Sequence, residues 1–177
     1  MPARADLERL KSLIRDVPDF PKPGIVFKDI TPLLASPREW AAALDEMAGW
    51  FAGNKPDLIA APEARGFLVG APIGERLGCG FVPMRKPGKL PWHTRRTSYD
   101  VEYGRDTLEV HSDAIPRGAR VAIVDDVLAL GGTIGAVARL VEESGGTVTG
   151  LGVLLELTFL KGRERLKNYD VRSLLQY

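Results

Sequence analysis

The stretch Val121-Ala-Ile-Val-Asp-Asp-Val-Leu-Ala-Leu-Gly-Gly-Thr133 decides how the rest of the chain is read. Val121 to Val124 form a short apolar run suited to a strand buried on both faces. The run ends abruptly in Asp125 and Asp126, and a small, glycine-bearing turn then opens a helix at Thr133, with Ile134 to Ser144 as its body and Gly145-Gly146 as its stop. Backbone N–H groups at such a turn, with the positive end of the helix dipole, make an anion site, most often for phosphate. Two adjacent carboxylates repel a bare phosphate, so they need another partner. The hydroxyls of a sugar attached to that phosphate fit, because carboxylates accept hydrogen bonds. The run reads as a ribose 5-phosphate cradle, and it is neither a Walker loop nor a Gly-x-Gly-x-x-Gly dinucleotide turn. Two other readings of the same residues stand beside it: a helix-capping acidic pair next to a plain tight turn, and a magnesium site on the two carboxylates.

Working outward, short apolar runs alternate with helical stretches, the signature of β-α units on a parallel sheet. Leu58 to Ala61 is one strand, followed by a loop at Pro62 to Gly66 and a short helix ending before Gly78; Phe81 to Met84 is the next. Residues 85 to 99 read as a long irregular loop, and Val101 to Tyr103 with Thr107 to Val110 suggest a hairpin turning at Gly104. Thr147 to Leu155 and Val171 to Leu175 complete the strands. Towards the N-terminus, Leu7, Leu10, Leu13, Ile14 and Val17 recur at helical spacing and predict an amphipathic helix stopped by Pro18. A proline-rich extended segment leads to Ile25-Val26-Phe27. Ser36-Pro37-Arg38-Glu39 then announces a second helix, with Trp40, Ala43, Leu44, Met47 and Phe51 as its buried stripe. The fold expected is α/β: an open, mainly parallel twisted sheet flanked by helices, one domain over 1–177, with its ligand beyond the carboxyl ends of the strands.

Composition narrows the classes. The 177 residues carry 24 Lys+Arg against 23 Asp+Glu, a net charge of +1 that disfavours a nucleic-acid coat or a polybasic membrane binder. Hydrophobic residues at 45% and charged residues at 27% are ordinary for a globular chain. Cys79 is the single cysteine, so an intramolecular disulfide is excluded, and no Cys/His cluster offers a zinc site. With no signal-like segment and no long apolar run, a cytoplasmic protein without membrane or nucleic-acid partners is expected.

The 121–133 run resembles the phosphoribosyl-pyrophosphate signature of type I phosphoribosyltransferases. Six further segments narrow the resemblance to the adenine-specific branch of that family: Asp19 to Pro32, Ala64 to Phe67, Arg85 to Pro91, Ser98 to Gly104, Glu156 to Leu166 and Ser173 to Tyr177. They span nearly the whole chain in the expected order. The resemblance implies a purine salvage enzyme that transfers 5-phosphoribosyl from phosphoribosyl pyrophosphate to N9 of adenine, giving AMP and pyrophosphate. It also implies magnesium carried mainly by the substrate with no direct protein ligand, a homodimer, a small N-terminal hood at about residues 1–35 and a flexible lid loop at about 85–104.

The resemblance assigns roles by position. Asp125 and Asp126 would face the ribose hydroxyls, and Ala129, Leu130, Gly131, Gly132 and Thr133 would wrap the 5′-phosphate. Leu130 departs from the Thr or Ser usual in the family and removes a hydroxyl donor. Arg65, in a loop expected to hold a cis peptide between Glu63 and Ala64, would fork onto the diphosphate. Arg85, Lys86 and Lys89 would stabilise the departing pyrophosphate, while Arg95 and Arg96 have weaker claims. Glu102 would serve acid chemistry near adenine N7, with Tyr103 beside it. Phe27 and Val127 would sandwich the purine, and main-chain groups of Val26 and Lys28 would read its 6-amino group and N1. Neither His93 nor His111 is assigned to catalysis. A transferase for a 6-oxo purine and a non-catalytic regulator on the same fold are the alternatives, separated by assaying adenine beside hypoxanthine and guanine.

Overall fold

Val121, Ala122, Ile123 and Val124 are fully buried on the central strand of a five-stranded parallel sheet, in a computed structural model that describes residues 6–101 and 104–177. The chain divides into two compact units, Met1–Glu46 and Met47–Tyr177.

In the first unit, α1 (Leu7–Ser12) is capped by Asp6, whose carboxylate accepts the Arg9 N–H at 3.1 Å. The helix ends well short of Val17, where the apolar spacing placed its end. Residues Arg15–Pro18 form β1 instead, antiparallel to β2 (Val26–Asp29), with Val17 opposite Phe27. Two effects override the local period. Val17 precedes a proline, which disfavours helical backbone, and the ladder to β2 gives the segment's N–H and C=O groups partners that sequence spacing cannot reveal. After α2 (Thr31–Leu34) comes α3 (Pro37–Ala52), whose residues from Met47 onward belong to the second unit; the Ser36 hydroxyl donates to the Glu39 carboxylate at the predicted start. Of the expected stripe, Ala43, Leu44, Met47 and Phe51 are buried and Trp40 is half-buried.

The second unit runs β3 (Leu58–Pro62), α4 (Arg65–Leu77), β4 (Gly80–Met84), β5 (Thr94–Val101), β6 (Gly104–His111), β7 (Arg120–Leu128), α5 (Gly132–Glu143), β8 (Thr147–Glu156) and β9 (Val171–Gln176). Two 3-10 turns, Thr158–Leu160 and Gly162–Leu166, link the last two strands. The sheet order is β4-β3-β7-β8-β9 with every pairing parallel. From β3 the chain builds outward to β4, then returns to the other side of β3 to lay down β7, so the winding direction reverses between β3 and β7. The crevice beyond the carboxyl ends of two such strands is where open α/β sheets hold ligands.

Close packing fixes that crevice. The inner face of α5, including Ile134, Val137, Leu140 and Val141, joins Val121, Ile123, Leu151 and Val153 in one buried cluster. A Cβ at Gly70 would lie 2.7 Å from Phe81 and 2.9 Å from Ala61, so α4 sits directly on β3 and β4. The irregular stretch expected over 85–99 is shorter, because Thr94 already begins β5, paired residue for residue with β6 from Thr94↔His111 to Val101↔Gly104. Between Thr94 and Asp100 only Tyr99 is buried. The strand character of β5 thus rests on its backbone ladder, with no apolar alternation to announce it.

Candidate active site

At the β3–β7 switch point, Pro62, Glu63, Ala64 and Arg65 face Asp125, Asp126, Val127, Ala129 and Thr133 across a cavity of about 260 Å³. The Glu63–Ala64 peptide is cis. Both aspartates lie within β7, which continues to Leu128 instead of stopping at Val124, since Asp125 and Val127 still pair with Val153 and Leu155 on β8. They are only 7% and 4% exposed. The Asp125 carboxylate accepts the Asp126 N–H at 2.8 Å. Arg65 Nε stands 2.9 Å from Asp126 Oδ2 in an ion pair not aligned as a hydrogen bond, and this buried oxygen accepts none. Burial, then the neighbouring Asp126 charge, pushes the Asp125 carboxyl well above the ordinary range. Burial also raises Asp126, with the Arg65 charge partly opposing it. Gly66 permits the approach of α4 to this pair, as a Cβ there would lie 3.0 Å from both Asp125 Oδ1 and the Pro62 ring.

The turn from β7 into α5 is held by a second close approach. Gly131 has φ +79°, and a Cβ on it would sit 2.6 Å from the Gly162 carbonyl oxygen. As N-cap of α5, Gly131 has no side chain to satisfy the first helical N–H groups, which therefore suit an anion. The helix starts at Gly132, one residue before the expected Thr133. Beside the turn lies a cavity of about 250 Å³ walled by Val127, Leu128, Leu130, Ile134 and Leu160, and it shares Val127, Ala129 and Thr133 with the switch-point cavity. An apolar compartment and a charged one thus meet at the end of β7.

The basic run is held by carboxylates the sequence reading left without roles. Arg85 Nε donates to Glu63 Oε2 at 2.7 Å, Lys89 Nζ pairs with Glu63 Oε1, and Lys86 pairs with Asp106 on β6. Burial acts to raise the Glu63 carboxyl, but Lys89 and Arg85 outweigh it and hold the group below its ordinary range. Arg95 and Arg96 lie exposed on β5. In the first unit, Val26, Phe27 and Lys28 lie on β2; Phe27 meets Phe20 edge-on at 5.2 Å, and Lys28 Nζ is 2.6 Å from Asp16 Oδ1. Glu102 and Tyr103 lie outside the described residues.

A second buried carboxylate, Glu156 at the end of β8, was given no role in the sequence reading. Arg163 grips it through Nε at 2.6 Å and Nη2 at 2.8 Å, and the Ser173 hydroxyl donates at 2.6 Å. Burial acts to raise this carboxyl, but Arg163 and Ser173 prevail and keep it low. The clamp anchors the segment that brings Leu160 and Gly162 against the Ala129–Gly132 turn. Both residues stand in the Glu156 to Leu166 segment that carried the resemblance, but no local rule connects an acid and an arginine seven residues apart.

Comparison with known proteins agrees with this geometry. Residues 27–175 match the model of the phosphoribosyl transferase domain. Adenine phosphoribosyltransferase of Clostridium perfringens is 56% identical over 168 residues, covering 95% of this chain and 98% of its own length. The chain belongs to the adenine phosphoribosyltransferase family. Solved members superpose closely: the Thermoanaerobacter pseudethanolicus enzyme has a TM-score of 0.94 at 56% identity, covering 97% of this chain and 99% of its own. The Saccharomyces cerevisiae enzyme, complexed with an imino-altritol bisphosphate and adenine, has a TM-score of 0.89 at 39% identity, covering 95% and 97%. As a member of the adenine phosphoribosyltransferase family the chain is a phosphoribosyltransferase, and the paired cavities at the switch point are its candidate active site. No helix among the described residues is long and apolar enough to cross a membrane.

Proposed function

We propose that the protein transfers 5-phosphoribosyl from phosphoribosyl pyrophosphate to N9 of adenine, giving AMP and pyrophosphate. The observation that carries this reading is the junction of a buried acidic pair, an uncapped glycine turn and an apolar compartment around Val127, Ala129 and Thr133. The first suits ribose hydroxyls, the second a 5′-phosphate, the third a flat base. The yeast relative's complex with adenine and a bisphosphate supports the same pairing of ligands.

In the reaction the C1′–O bond to pyrophosphate breaks, the N9–C1′ bond forms and N9 loses its proton. Backbone N–H groups of Ala129 to Thr133, including that of Leu130, hold the 5′-phosphate. Asp125 and Asp126 accept from the 2′ and 3′ hydroxyls and fix the ring for in-line displacement. Arg65, Arg85, Lys86 and Lys89 stabilise charge as it builds on the leaving diphosphate. Val127 packs on the base. By resemblance alone, Phe27 is assigned stacking, and the main chain of Val26 and Lys28 the reading of the 6-amino group and N1. A 6-oxo purine reverses that donor and acceptor pattern and leaves buried groups unpaired.

The donor set suits magnesium that arrives on the substrate. Asp125 and Asp126 supply hard oxygens at the cavity, and by resemblance most ligands would come from the diphosphate and ribose hydroxyls. When bound, the ion would offset leaving-group charge.

Glu102 is assigned proton sharing at adenine N7, with Tyr103 as its neighbour; a Glu102→Leu protein is expected to bind phosphoribosyl pyrophosphate normally and lose at least about 100-fold in kcat, the usual scale for an acid–base group. Near-full turnover would remove that role. A cytoplasmic homodimer completes the reading, and sedimentation at twice the 19.3 kDa chain mass would support the dimer. The deciding assay supplies phosphoribosyl pyrophosphate and magnesium with adenine, hypoxanthine or guanine. Nucleotide formation with adenine alone is expected; turnover of a 6-oxo purine, or binding without turnover, would overturn the proposal.

A further inference from the structure

The geometry points to Glu63 as a positioning residue that fixes Arg85 and Lys89 for the diphosphate of phosphoribosyl pyrophosphate, a role that rests on the pyrophosphate reading of those two cations. Its side chain is only 7% exposed, whereas Arg85 and Lys89 are 36% and 50% exposed, so the carboxylate is the anchored member of the trio. One carboxylate oxygen takes Arg85 Nε at 2.7 Å and the other takes Lys89 Nζ. Arg85 also donates through Nη1 to the Lys89 carbonyl at 3.3 Å, which ties the two ends of the turn together.

The same turn is pinned from its other side by β6. Arg85 and Glu109 exchange backbone hydrogen bonds of 2.9 and 2.7 Å, and the Gly88 N–H donates to the Glu109 carboxylate at 3.2 Å. The main chain of the turn is therefore fixed by Glu109, and two of its three cationic side chains, Arg85 and Lys89, by Glu63. Glu63 is itself seated on the sheet, its N–H donating to the Met84 carbonyl at 2.8 Å. A carboxylate cannot be a ligand for a diphosphate, because like charges repel. What Glu63 does is hold two long, rotamer-rich side chains in one arrangement before substrate arrives, so that less entropy is lost on binding.

The test is steady-state kinetics on Glu63→Gln and Glu63→Asp beside Arg85→Ala and Lys89→Ala, with pyrophosphate product inhibition and AMP binding measured on each. For Glu63→Gln the KM for phosphoribosyl pyrophosphate and the inhibition constant for pyrophosphate are expected to rise about tenfold together, the loss of one charge-assisted contact. The KM for adenine and the AMP affinity should stay within about twofold of the parent, while kcat falls several-fold because the same two cations stabilise charge on the departing diphosphate. Glu63→Asp, which keeps the charge on a shorter stem, should recover part of the loss. Because Gln keeps the shape of Glu, folding should survive, and thermal melts verify it. Loss of AMP affinity alongside pyrophosphate would mark a general distortion of the turn and overturn the assignment. So would unchanged constants in Glu63→Gln while Arg85→Ala and Lys89→Ala raise them. If the two cation variants themselves change nothing, the pyrophosphate reading fails first, and the role of Glu63 fails with it.

Discussion

Asp125 occupies a position that costs stability in exchange for chemistry. Its carboxyl is raised by burial and by the Asp126 charge, so the folded protein binds a proton more readily than the unfolded chain, whose Asp titrates near about 3.9. Where the native state holds more protons, stability falls as pH rises from that value through the higher folded one, and the penalty is fully present above it. Asparagine removes the titration and keeps the oxygen that accepts the Asp126 N–H. Asp125→Asn is therefore expected to raise Tm at pH 7 by at least about 2 °C. The same variant should bind phosphoribosyl pyrophosphate at least about tenfold more weakly, because a charge-assisted acceptor for a ribose hydroxyl is gone. Calorimetric melts at pH 7 and pH 4 with a binding isotherm check both parts. A variant destabilised at pH 7 would show that the pair is not under electrostatic strain in the free protein.

At the scale of elements, the site is a strand end and a glycine turn backed by the segment after β8, and legibility differed among the three. Val121 to Val124 announced β7 by unbroken apolar burial, and Ile134 to Ser144 announced α5 by period. The Asp125-Asp126 and Gly131-Gly132 signals were local, and Asp125, Asp126, Ala129 and Thr133 line one cavity with Arg65. The support of the turn was not legible: Gly162 and Leu160 reach it across about 30 residues of chain, and Glu63 meets Arg85 and Lys89 only because β3 and β4 are neighbours. Local rules could not supply these pairings, any more than they supplied β1 against β2. The turn also carries Leu130, a half-buried wall of the apolar cavity with no hydrogen-bonding side chain of its own. Leu130→Thr adds a hydroxyl donor beside the phosphate site and is expected to lower the KM for phosphoribosyl pyrophosphate at least about threefold, a conservative share of a hydrogen bond to a charged group. The accompanying stability loss should be under about 2 kcal/mol, since the side chain is only partly buried. An unchanged KM would mean that backbone N–H groups already saturate the phosphate.

Over the whole molecule, the net charge of +1 conceals a separation of charge. Five cations lie between Arg85 and Arg96 with no acid among them in sequence, and folding brings Glu63 and Asp106 to three of those side chains. Three carboxylates, Glu63, Asp106 and Glu109, against five cations still leave that run positive, while Asp125 and Asp126 sit buried behind Arg65. One substrate of the proposed reaction is a multiply charged anion and the other a neutral base, so salt should act on them unequally. The screening length shrinks from about 10 Å at 0.1 M to about 3 Å at 1 M, which weakens the attraction of partly exposed Arg85, Lys86 and Lys89 for a diphosphate far more than contacts inside the apolar cavity. Raising potassium chloride from about 0.05 to about 0.5 M is expected to increase the KM for phosphoribosyl pyrophosphate several-fold and to change that for adenine by less than about twofold. Initial-rate measurements at fixed free magnesium separate this from metal competition. Equal shifts for both substrates would point to a general loosening of the fold by salt, and the basic face would then have no special part in gathering the anionic substrate.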